Sequence, residues 1–465
     1  MNDKRAIKSG FWFTVSNFVM RSIGFITTPI FTRLMTKGEF GEFSNFQTWS
    51  ILLLYVTSLN LESTLIRATH ELKDDLNSYV LSIISLSCLS TSVWWVFSLL
   101  FREQMAAVLS MNPTYINYMF AYLMFYPAVL IFQNLERFKY DYKYTIATSL
   151  AVSIGSSLLS VLFVITWEDK LLGRVWGYIL PVIIIGALVI AYFMKSARGI
   201  KIKYWKYALP IALPFIPHLL SMYLLSNFDR VMIRQICGAE DLALYSLAYT
   251  AGMIMTILVS SVNSAFSPWL AEKLELNDRK ATYKVSVPYI TCCSIVGFLT
   301  VLVTPEILYI LGGTPYMEAK YVMPPVAAGC LLQFTYSMYV NVEQYEKKTV
   351  GMAVASMIAA ISNYFLNLLF IPRFGYIAAA YTTYAGYLIL LLSHIYLVKK
   401  MGYSNVYNNK MIVLISIISS LLMFAATFVL DNFILRYALL FVLLSIIGIF
   451  VLKNKDKFLM LLKRK

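Results

Sequence analysis

Residues 175–194 read VWGYILPVIIIGALVIAYFM and carry no charged side chain. A helix of twenty residues is about 30 Å long, which matches the hydrocarbon core of a bilayer. Arg174 and Lys195 stand directly before and after the run. The stretch therefore predicts a transmembrane helix.

Thirteen further apolar runs of similar length follow one another along the 465 residues. In lipid, backbone polar groups must be paired within the segment, and these runs lack the two-residue alternation of membrane strands. The predicted spans are 11–32, 42–61, 79–101, 115–133, 146–166, 175–194, 207–228, 242–268, 286–304, 321–342, 352–371, 377–398, 411–430 and 434–452. We therefore expect an all-α polytopic membrane protein with about 14 transmembrane helices.

The composition supports the same class. The chain is 59% hydrophobic and 14% charged, with a mean hydropathy of +0.68, whereas a soluble domain carries about 25% charged residues. This excludes a disordered chain, a disulfide scaffold and almost any soluble enzyme. The five cysteines show no disulfide or metal-ligand spacing, so we predict no metal and no cofactor. The N-terminal sequence MNDKRAIKSGFWF has no pattern of a removable signal peptide.

The basic residues predict the orientation. If the N-terminus is cytoplasmic, 28 of the 39 Lys and Arg residues lie on the cytoplasmic side and 10 lie outside. This positive-inside asymmetry places both termini in the cytoplasm and favours anionic lipids, not nucleic acid, as the partner of the net charge of +15. No loop exceeds about 20 residues, which argues against a soluble catalytic domain.

Two halves of the chain carry similar polar residues in the same order. The matched pairs are Arg33 and Arg234, Glu39 and Asp241, Phe43 and Tyr245, Asn60 and Asn263, Asn134 and Asn341, and Glu136 and Glu343. The alternative is chance similarity between apolar helices. A parallel repeat is typical of secondary transporters and predicts two six-helix lobes, residues 1–200 and 201–400. Residues 401–465 then hold two extra helices and a basic cytoplasmic tail.

Two quoted stretches resemble bacterial polysaccharide repeat-unit flippases of the multidrug/oligosaccharidyl-lipid/polysaccharide exporter superfamily. One is SNFVMRSIGFITTPIFTRLMTKGEFGEFS at the first helix, and the other is ISNYFLNLLFIPRFGYIAAAYTTYAGY at helix 11. The resemblance implies a V-shaped, two-lobed fold with a central cavity. Lipid II flippases of this superfamily carry an Arg-Asp pair where this chain has Thr27 and Thr28, which argues against lipid II as the substrate.

The resemblance also implies an activity and its partners. A non-enzymatic transporter of this kind moves undecaprenyl-diphosphate-linked oligosaccharide units by alternating access, for capsule, O-antigen or exopolysaccharide synthesis. It lies in the bacterial cytoplasmic (inner) membrane, and its partners are the lipid-linked oligosaccharide and membrane lipids. A polysaccharide polymerase and a chain-length regulator are further candidate partners. The coupling ion would be Na⁺ or H⁺.

Polar residues inside the spans are the candidate cavity residues, because an ionisable group in a membrane is costly and is functional by default. Asn17, Arg21 and Thr28 lie on one face of helix 1, and the Arg21 guanidinium suits a diphosphate. A salt bridge that locks the lobe is the alternative for Arg21. The other candidates lie inside the spans or directly beyond their ends, and they are Asn60, Glu62, Arg67, His218, Asp229, Arg230, Asn263, Asn363 and Asn367.

Structural roles remain open for several of these. His218 is equally read as a packing histidine, Asp229 and Arg230 as a salt bridge, and the two asparagines of helix 11 as helix–helix contacts. Pro210, Pro214 and Pro217 predict a kink in helix 7. Glu136, Arg137 and Glu343 are candidates for a cytoplasmic gate, with interfacial anchoring as the alternative.

Three other functions would require different sequence features. A multidrug exporter of the same fold would have a more aromatic and acidic cavity. A membrane polysaccharide polymerase or ligase would need a large outer loop with catalytic Arg or His residues, which these short loops do not provide. A structural scaffold would need neither polar stripes nor a repeat.

Overall fold

The computed structural model describes residues 3–139, 141–346 and 348–453. Within these ranges the chain is helical and contains no β-strand. The all-α prediction is confirmed. The predicted basic tail lies outside the described residues beyond Lys453.

Eighteen α-helices follow one another in the described chain. They are α1 Asp3–Leu34, α2 Lys37–Thr57, α3 Leu65–Glu71, α4 Leu76–Leu100, α5 Arg102–Leu109, α6 Pro113–Phe138, α7 Tyr142–Thr166, α8 Lys170–Ser196, α9 Ile202–Ala212, α10 Ile216–Ile236, α11 Ala239–Glu275, α12 Arg279–Leu302, α13 Thr304–Gly312, α14 Met323–Tyr345, α15 Thr349–Phe374, α16 Tyr376–Lys400, α17 Asn409–Ala425 and α18 Phe433–Lys453. Short 3-10 helices occupy Leu61–Thr64, Lys73–Asp75, Leu213–Phe215, Thr314–Val322 and Ala426–Val429.

Each predicted span overlaps a helix of the structure. By length and apolarity, nine helices of the described chain are able to cross a membrane, or eleven if two bent pairs each form one span. Helix α18 has a shorter apolar stretch, Phe433–Ile449. The multi-pass prediction is supported, and the count of fourteen stays a prediction.

Two spans are bent. Ile202–Phe215 and Leu219–Ile236 meet at 48°, which agrees with the kink that the prolines predict. The second bend, 51° between Lys37–Thr57 and Leu61–Glu71, was not predicted, because the predicted span 42–61 was drawn straight through it. There Leu59 and Asn60 adopt left-handed backbone conformations, with φ of 54° and 50°, so α2 ends at Thr57 and not at residue 61.

The chain divides into two compact units. Unit 1 comprises Met1–Thr250, Ile310–Tyr316 and Val350–Gly386, and unit 2 comprises Ala251–Tyr309, Met317–Thr349 and Tyr387–Lys465. The lobe boundaries at residues 200 and 400, and the V shape, remain expectations from the sequence and the family resemblance.

Helices α7 and α8 of unit 1 pack closely through small residues. A Cβ atom on Gly177 would lie 2.3 Å from the Ser160 Cα, and one on Gly173 would lie 2.7 Å from the Phe163 carbonyl oxygen. The Ser156 hydroxyl donates to the Tyr178 carbonyl at 2.9 Å. Small side chains let two membrane helices approach, and polar contacts join them.

Polar contacts hold the start of α18 in unit 2. Arg436 forms a bidentate ion pair with Glu306, with Nη1–Oε2 and Nη2–Oε1 distances of 2.5 and 2.6 Å. Just before the helix, Asp431 pairs with Lys320. Further along, Phe441 is 73% exposed within the protein, as expected of a helix that faces lipid.

Candidate functional site

A buried carboxylate, Asp229 of α10, lies at the centre of a polar network in unit 1. The side chain is 1% exposed and accepts hydrogen bonds from the hydroxyls of Tyr245 and Thr383, the latter at 3.3 Å. The Arg230 backbone N–H donates to its Oδ1 at 2.8 Å. All of these donors are uncharged, and Asp229 forms no ion pair with any side chain that the structure describes.

The network continues into α15 and α16. Asn363 donates to the Thr383 hydroxyl at 3.4 Å, and Asn367 donates to the Asn363 Oδ1 at 3.2 Å. The Thr382 hydroxyl in turn donates to Asn367. The four side chains are 0–5% exposed, so carboxylate, amide and hydroxyl oxygens from several helices are gathered away from water.

This oxygen-rich cluster suits a small hard cation or a proton. Such cations prefer carboxylate, amide and hydroxyl oxygens, and an isolated buried carboxylate is costly unless its charge is compensated. The positive charge of the adjacent Arg230 acts on the carboxylate, but the two side chains form no ion pair. The Arg230 guanidinium lies over the Tyr249 ring at 5.4 Å from the centroid, and its Nε is buried without a hydrogen-bond partner among the described groups.

The bend after α2 holds two further predicted residues. Asn60 is 5% exposed, and its backbone N–H donates to the Ser58 hydroxyl at 3.1 Å. Glu62 lies in the following 3-10 helix, and its Oε2 is buried with no hydrogen-bond partner in the described chain. Arg67 is exposed on α3.

Of the three candidate gate residues, two belong to unit 1 and one to unit 2. Glu136 pairs with Lys139 at 2.9 Å, one turn further along the chain, and Arg137 is exposed. Glu343 belongs to unit 2, where its Oε1 lies 2.8 Å from the Nδ1 of His394. Their assignment to a gate stays a prediction.

Other predicted residues have separate surroundings. Thr28 is 7% exposed and donates to the carbonyl of Gly24 in its own helix at 2.8 Å. Asn263 of unit 2 accepts from Asn341 at 2.9 Å, so two residues singled out by the repeat meet there. The side chains of Asn17, Arg21 and His218 lie outside the described part of the structure.

The ends of several helices in unit 1 meet at a tight contact, which we call the outer junction because the charge asymmetry predicts it to lie outside. It is formed by Thr32, Arg33, Gly41, Glu42, Arg234, Ala239, Ile310 and Leu311. The Thr32 hydroxyl donates to the Leu311 carbonyl at 2.5 Å, and Arg234 forms an ion pair with Glu42 at 2.5 Å. At its closest point, a Cβ atom on Gly41 would lie 1.8 Å from the Ala239 carbonyl oxygen.

Arg174 is buried beside this junction. Its guanidinium carbon lies 4.0, 4.8 and 4.0 Å from the ring centroids of Phe31, Phe40 and Phe43. Burial raises the pKa of the neighbouring Tyr316 to about 12, and the positive charge of Arg174 opposes that rise. Cation–π contacts of this kind stabilise a desolvated guanidinium.

Asp229, Asn363 and Asn367 were predicted from the sequence, whereas the hydroxyl groups that join them were not. Thr382 and Thr383 lie in the sequence stretch at the eleventh predicted span, which forms α15 and the start of α16. Tyr245 is the repeat counterpart of Phe43. His394 was missed as well, because one histidine in an apolar run gives no sign of a partner 51 residues away.

The chain is similar to known membrane proteins. A family profile described as "Polysaccharide biosynthesis protein" matches residues 6–273, more than half of the chain, and a MatE profile matches residues 214–369. A protein of the Lsg locus of Haemophilus influenzae is 22% identical over 378 residues, which cover 77% of this chain and 89% of the relative. An uncharacterized membrane protein of Methanocaldococcus jannaschii is 22% identical over 97% of this chain and 96% of its own length.

Two solved structures share the fold. The lipid II flippase MurJ in an inward closed conformation has a TM-score of 0.70 at 14% identity, covering 96% of this chain and 99% of MurJ. An inward-facing multidrug resistance transporter of the MATE family has a TM-score of 0.61 at 12% identity, covering 83% of this chain and 95% of that transporter.

Proposed function

The chain belongs to the polysaccharide biosynthesis protein family of the multidrug/oligosaccharidyl-lipid/polysaccharide exporter superfamily, and from this premise we propose that it moves undecaprenyl-diphosphate-linked oligosaccharide units from the inner to the outer leaflet of the bacterial inner membrane. The family match over residues 6–273 is the observation that carries the proposal. The departure at Thr27 and Thr28 favours a capsule, O-antigen or exopolysaccharide unit over lipid II.

The physical task fits a multi-pass transporter. A diphosphate and several sugars do not cross hydrocarbon unaided, because removing charged and polar groups from water without new partners is costly. A hydrated path through the protein replaces those interactions while the polyprenyl chain stays in lipid. Alternating access then requires a contact that closes and opens, and the outer junction around Gly41 and Ala239 is our candidate for the closure on the outer side.

We further propose that the coupling cation, Na⁺ or H⁺, binds at Asp229. The cation would compensate the buried carboxylate, and Asn363, Asn367 and the two threonines would supply further oxygens. Because these groups belong to α10, α15 and α16, binding would favour the arrangement in which the three helices are in contact. A ligand that binds one conformation more tightly shifts the population toward it.

Complementation in a flippase-deficient strain tests this function. The full chain is expressed in the deletion strain, and the lipid-linked intermediates of each leaflet are quantified with a membrane-impermeant sugar label on spheroplasts. We expect inner-leaflet accumulation in the deletion strain and restored outer-leaflet labelling with the wild-type chain. Asp229→Asn should restore little labelling, whereas the exposed control Asp74→Asn should restore it fully. Continued accumulation with a correctly inserted wild-type chain would contradict the proposal.

A multidrug exporter is the second candidate, because the MatE profile matches residues 214–369. The same strains distinguish it. Expression that raises resistance to cationic drugs without restoring outer-leaflet glycan would favour drug export, since the glycan readout then shows no transport of a lipid-linked substrate.

A further inference from the structure

Glu343 of α14 and His394 of α16 form a buried pair of ionisable side chains in unit 2. The Glu343 Oε1 lies 2.8 Å from the His394 Nδ1, and their side chains are 0% and 2% exposed. In the six other ion pairs of the described chain, the carboxylate side chain is 11–60% exposed. This pair therefore differs from the rest in being shut off from water.

The pair is also incompletely satisfied. The second carboxylate oxygen, Glu343 Oε2, is buried and has no hydrogen-bond partner among the residues that the structure describes. The Tyr336 ring stacks on the imidazole, with centroids 5.6 Å apart and planes 16° apart. One face of the histidine is thus covered by an aromatic ring, and an acceptor for a proton stays open on the carboxylate.

A pair with these properties is costly as a structural link. Removing two ionisable groups from water carries a desolvation penalty that their attraction does not always repay, and apolar residues of similar volume often stabilise as well or better. Ionisable groups inside membrane proteins commonly mark proton or ion pathways. The cost argues that the pair is present for its protons.

We propose that His394 and Glu343 form a proton-binding site in unit 2 that couples proton movement to transport and is separate from the cluster at Asp229. The pair is neutral when it holds one proton. Gaining a second proton, or losing the one that it holds, gives the pair a net charge, which is unfavourable while the pair is shut off from water. Protons are therefore exchanged mainly in a conformation that admits water, and this ties protonation to the transport cycle.

Unit 2 contains other titratable or charged groups besides this pair. Glu346, three residues after Glu343, accepts from the Tyr403 hydroxyl, and Arg279 lies over the Tyr403 ring at 4.7 Å. Further titratable or charged groups on these elements of unit 2 include Lys284, Tyr289, Cys292 and Cys293 on α12, Cys330, Tyr336, Tyr339 and Tyr345 on α14, Lys348 after it, Tyr387, Tyr396, Lys399 and Lys400 on α16, and Tyr407 and Lys410. Lys347 lies outside the described chain.

Histidine NMR gives a test that needs no glycan. The full chain contains three histidines, so the ¹⁵N signal of His394 in detergent micelles is assigned by its loss in His394→Asn. We expect the signal of the wild-type chain to depend on pH, because the pair binds and releases protons. In Glu343→Gln, which keeps a hydrogen-bond acceptor, this dependence should be lost. An identical pH response in Glu343→Gln would overturn the proposal.

Proton flux gives the second readout and rests on the proposed function. The chain is reconstituted in phosphatidylethanolamine–phosphatidylglycerol liposomes that contain pyranine, and undecaprenyl-diphosphate-linked oligosaccharide is the added substrate. Wild-type protein should couple glycan transfer to proton movement, and Glu343→Gln should lose the proton movement. The matched control is Tyr339→Phe, which removes the partly buried 2.8 Å hydrogen bond from α14 to Asn409. This variant leaves Glu343 and His394 in place, and it should keep the wild-type pH profile.

The outcomes separate the two proposals. If His394 responds to pH through Glu343 but no lipid-linked glycan is moved by any variant, the proton site stands and the proposed function fails. If glycan transfer in Glu343→Gln has the wild-type pH profile and proton flux, the site fails and the proposed function stands. A loss in Tyr339→Phe equal to that in Glu343→Gln would indicate a packing role and overturn the site.

Discussion

Replacing Gly41 with alanine should open the outer junction. A Cβ atom at this position would lie 1.8, 2.7 and 3.2 Å from the carbonyl oxygen, carbonyl carbon and Cα of Ala239. All three atoms belong to the backbone, so no change of rotamer relieves the clash. A carbon–oxygen contact needs about 3.3 Å, and the starts of α2 and α11 must therefore separate by about 1.5 Å.

The size of the effect follows from the cost of overpacking. An extra methyl group in a close-packed site costs about 1–3 kcal/mol, and here the cost falls on the closed junction alone. A shift of that size changes the ratio of closed to open conformations by about 5- to 150-fold. The fold itself should persist, because alanine is about 1 kcal/mol better than glycine inside a helix.

The control is Gly38→Ala in the same helix. A Cβ atom there meets nothing nearer than the Thr36 hydroxyl oxygen at 4.0 Å. Thr32 and Leu311, which meet across the junction, are replaced by cysteine in a chain that lacks its native cysteines. The rate of cross-linking with a short bifunctional thiol reagent then reports closure. Size-exclusion profiles and thermal unfolding in detergent show whether each variant is folded.

We expect Gly41→Ala to slow the cross-linking and Gly38→Ala to leave the rate unchanged. Outer-leaflet glycan labelling should fall in Gly41→Ala, since a transporter that cannot close on one side cannot complete its cycle. Equal cross-linking rates in folded Gly41→Ala and Gly38→Ala would contradict this prediction, because the clash would then be absorbed without separating α2 from α11.

Substitutions at three further residues test the packing and the charges. Gly177→Leu should destabilise the α7–α8 contact by about 1–3 kcal/mol or more, since its Cβ atom alone meets Ser160 at 2.3 Å; a fall in thermal unfolding temperature checks this. Arg174→Met should be neutral or stabilising, because it removes a buried charge that has no carboxylate partner among the described residues. Arg174→Ala should instead lose about 2 kcal/mol or more of stability, because it leaves a cavity. An unfolding temperature of the methionine variant as low as that of the alanine variant would contradict this. The Lys320 ammonium holds the pKa of Asp431 below its ordinary value. The pair should therefore stabilise the protein above about pH 4 and lose that effect as pH falls. The difference in unfolding temperature between wild type and Asp431→Asn should accordingly vanish at low pH.

The helices could be predicted from the sequence because the bilayer imposes one rule on every span. Twenty apolar residues must pair their own backbone groups, so runs such as 175–194 fall on helices without any knowledge of the tertiary structure. The kink before α10 was equally predictable, since Pro210 and Pro214 remove backbone donors. The bend at Leu59 and Asn60 was not, because neither residue is a glycine or a proline.

The candidate sites were predictable only in part. Asp229 was identified because a carboxylate at the end of a membrane span is costly and therefore a functional candidate, and Asn363 and Asn367 because their spacing puts them on one helix face. Their meeting with Thr383 depends on which helices pack together, and a single sequence does not contain that information. His394 shows the same limit more sharply, since the proton chemistry proposed for it depends on a partner from another helix.

At the break between Lys37–Thr57 and Leu61–Glu71, backbone groups form hydrogen bonds with residues of the same short segment. The Leu61 and Ser63 amides donate to the carbonyls of Ser58 and Asn60 at 3.3 and 3.2 Å, and the Ser63 hydroxyl also donates to Asn60 at 2.8 Å. No distant group is needed to pair these backbone atoms, so the change of direction is encoded by six consecutive residues, 58–63. Grafted between two helical segments of another membrane protein, the same hexapeptide should turn the chain there as well.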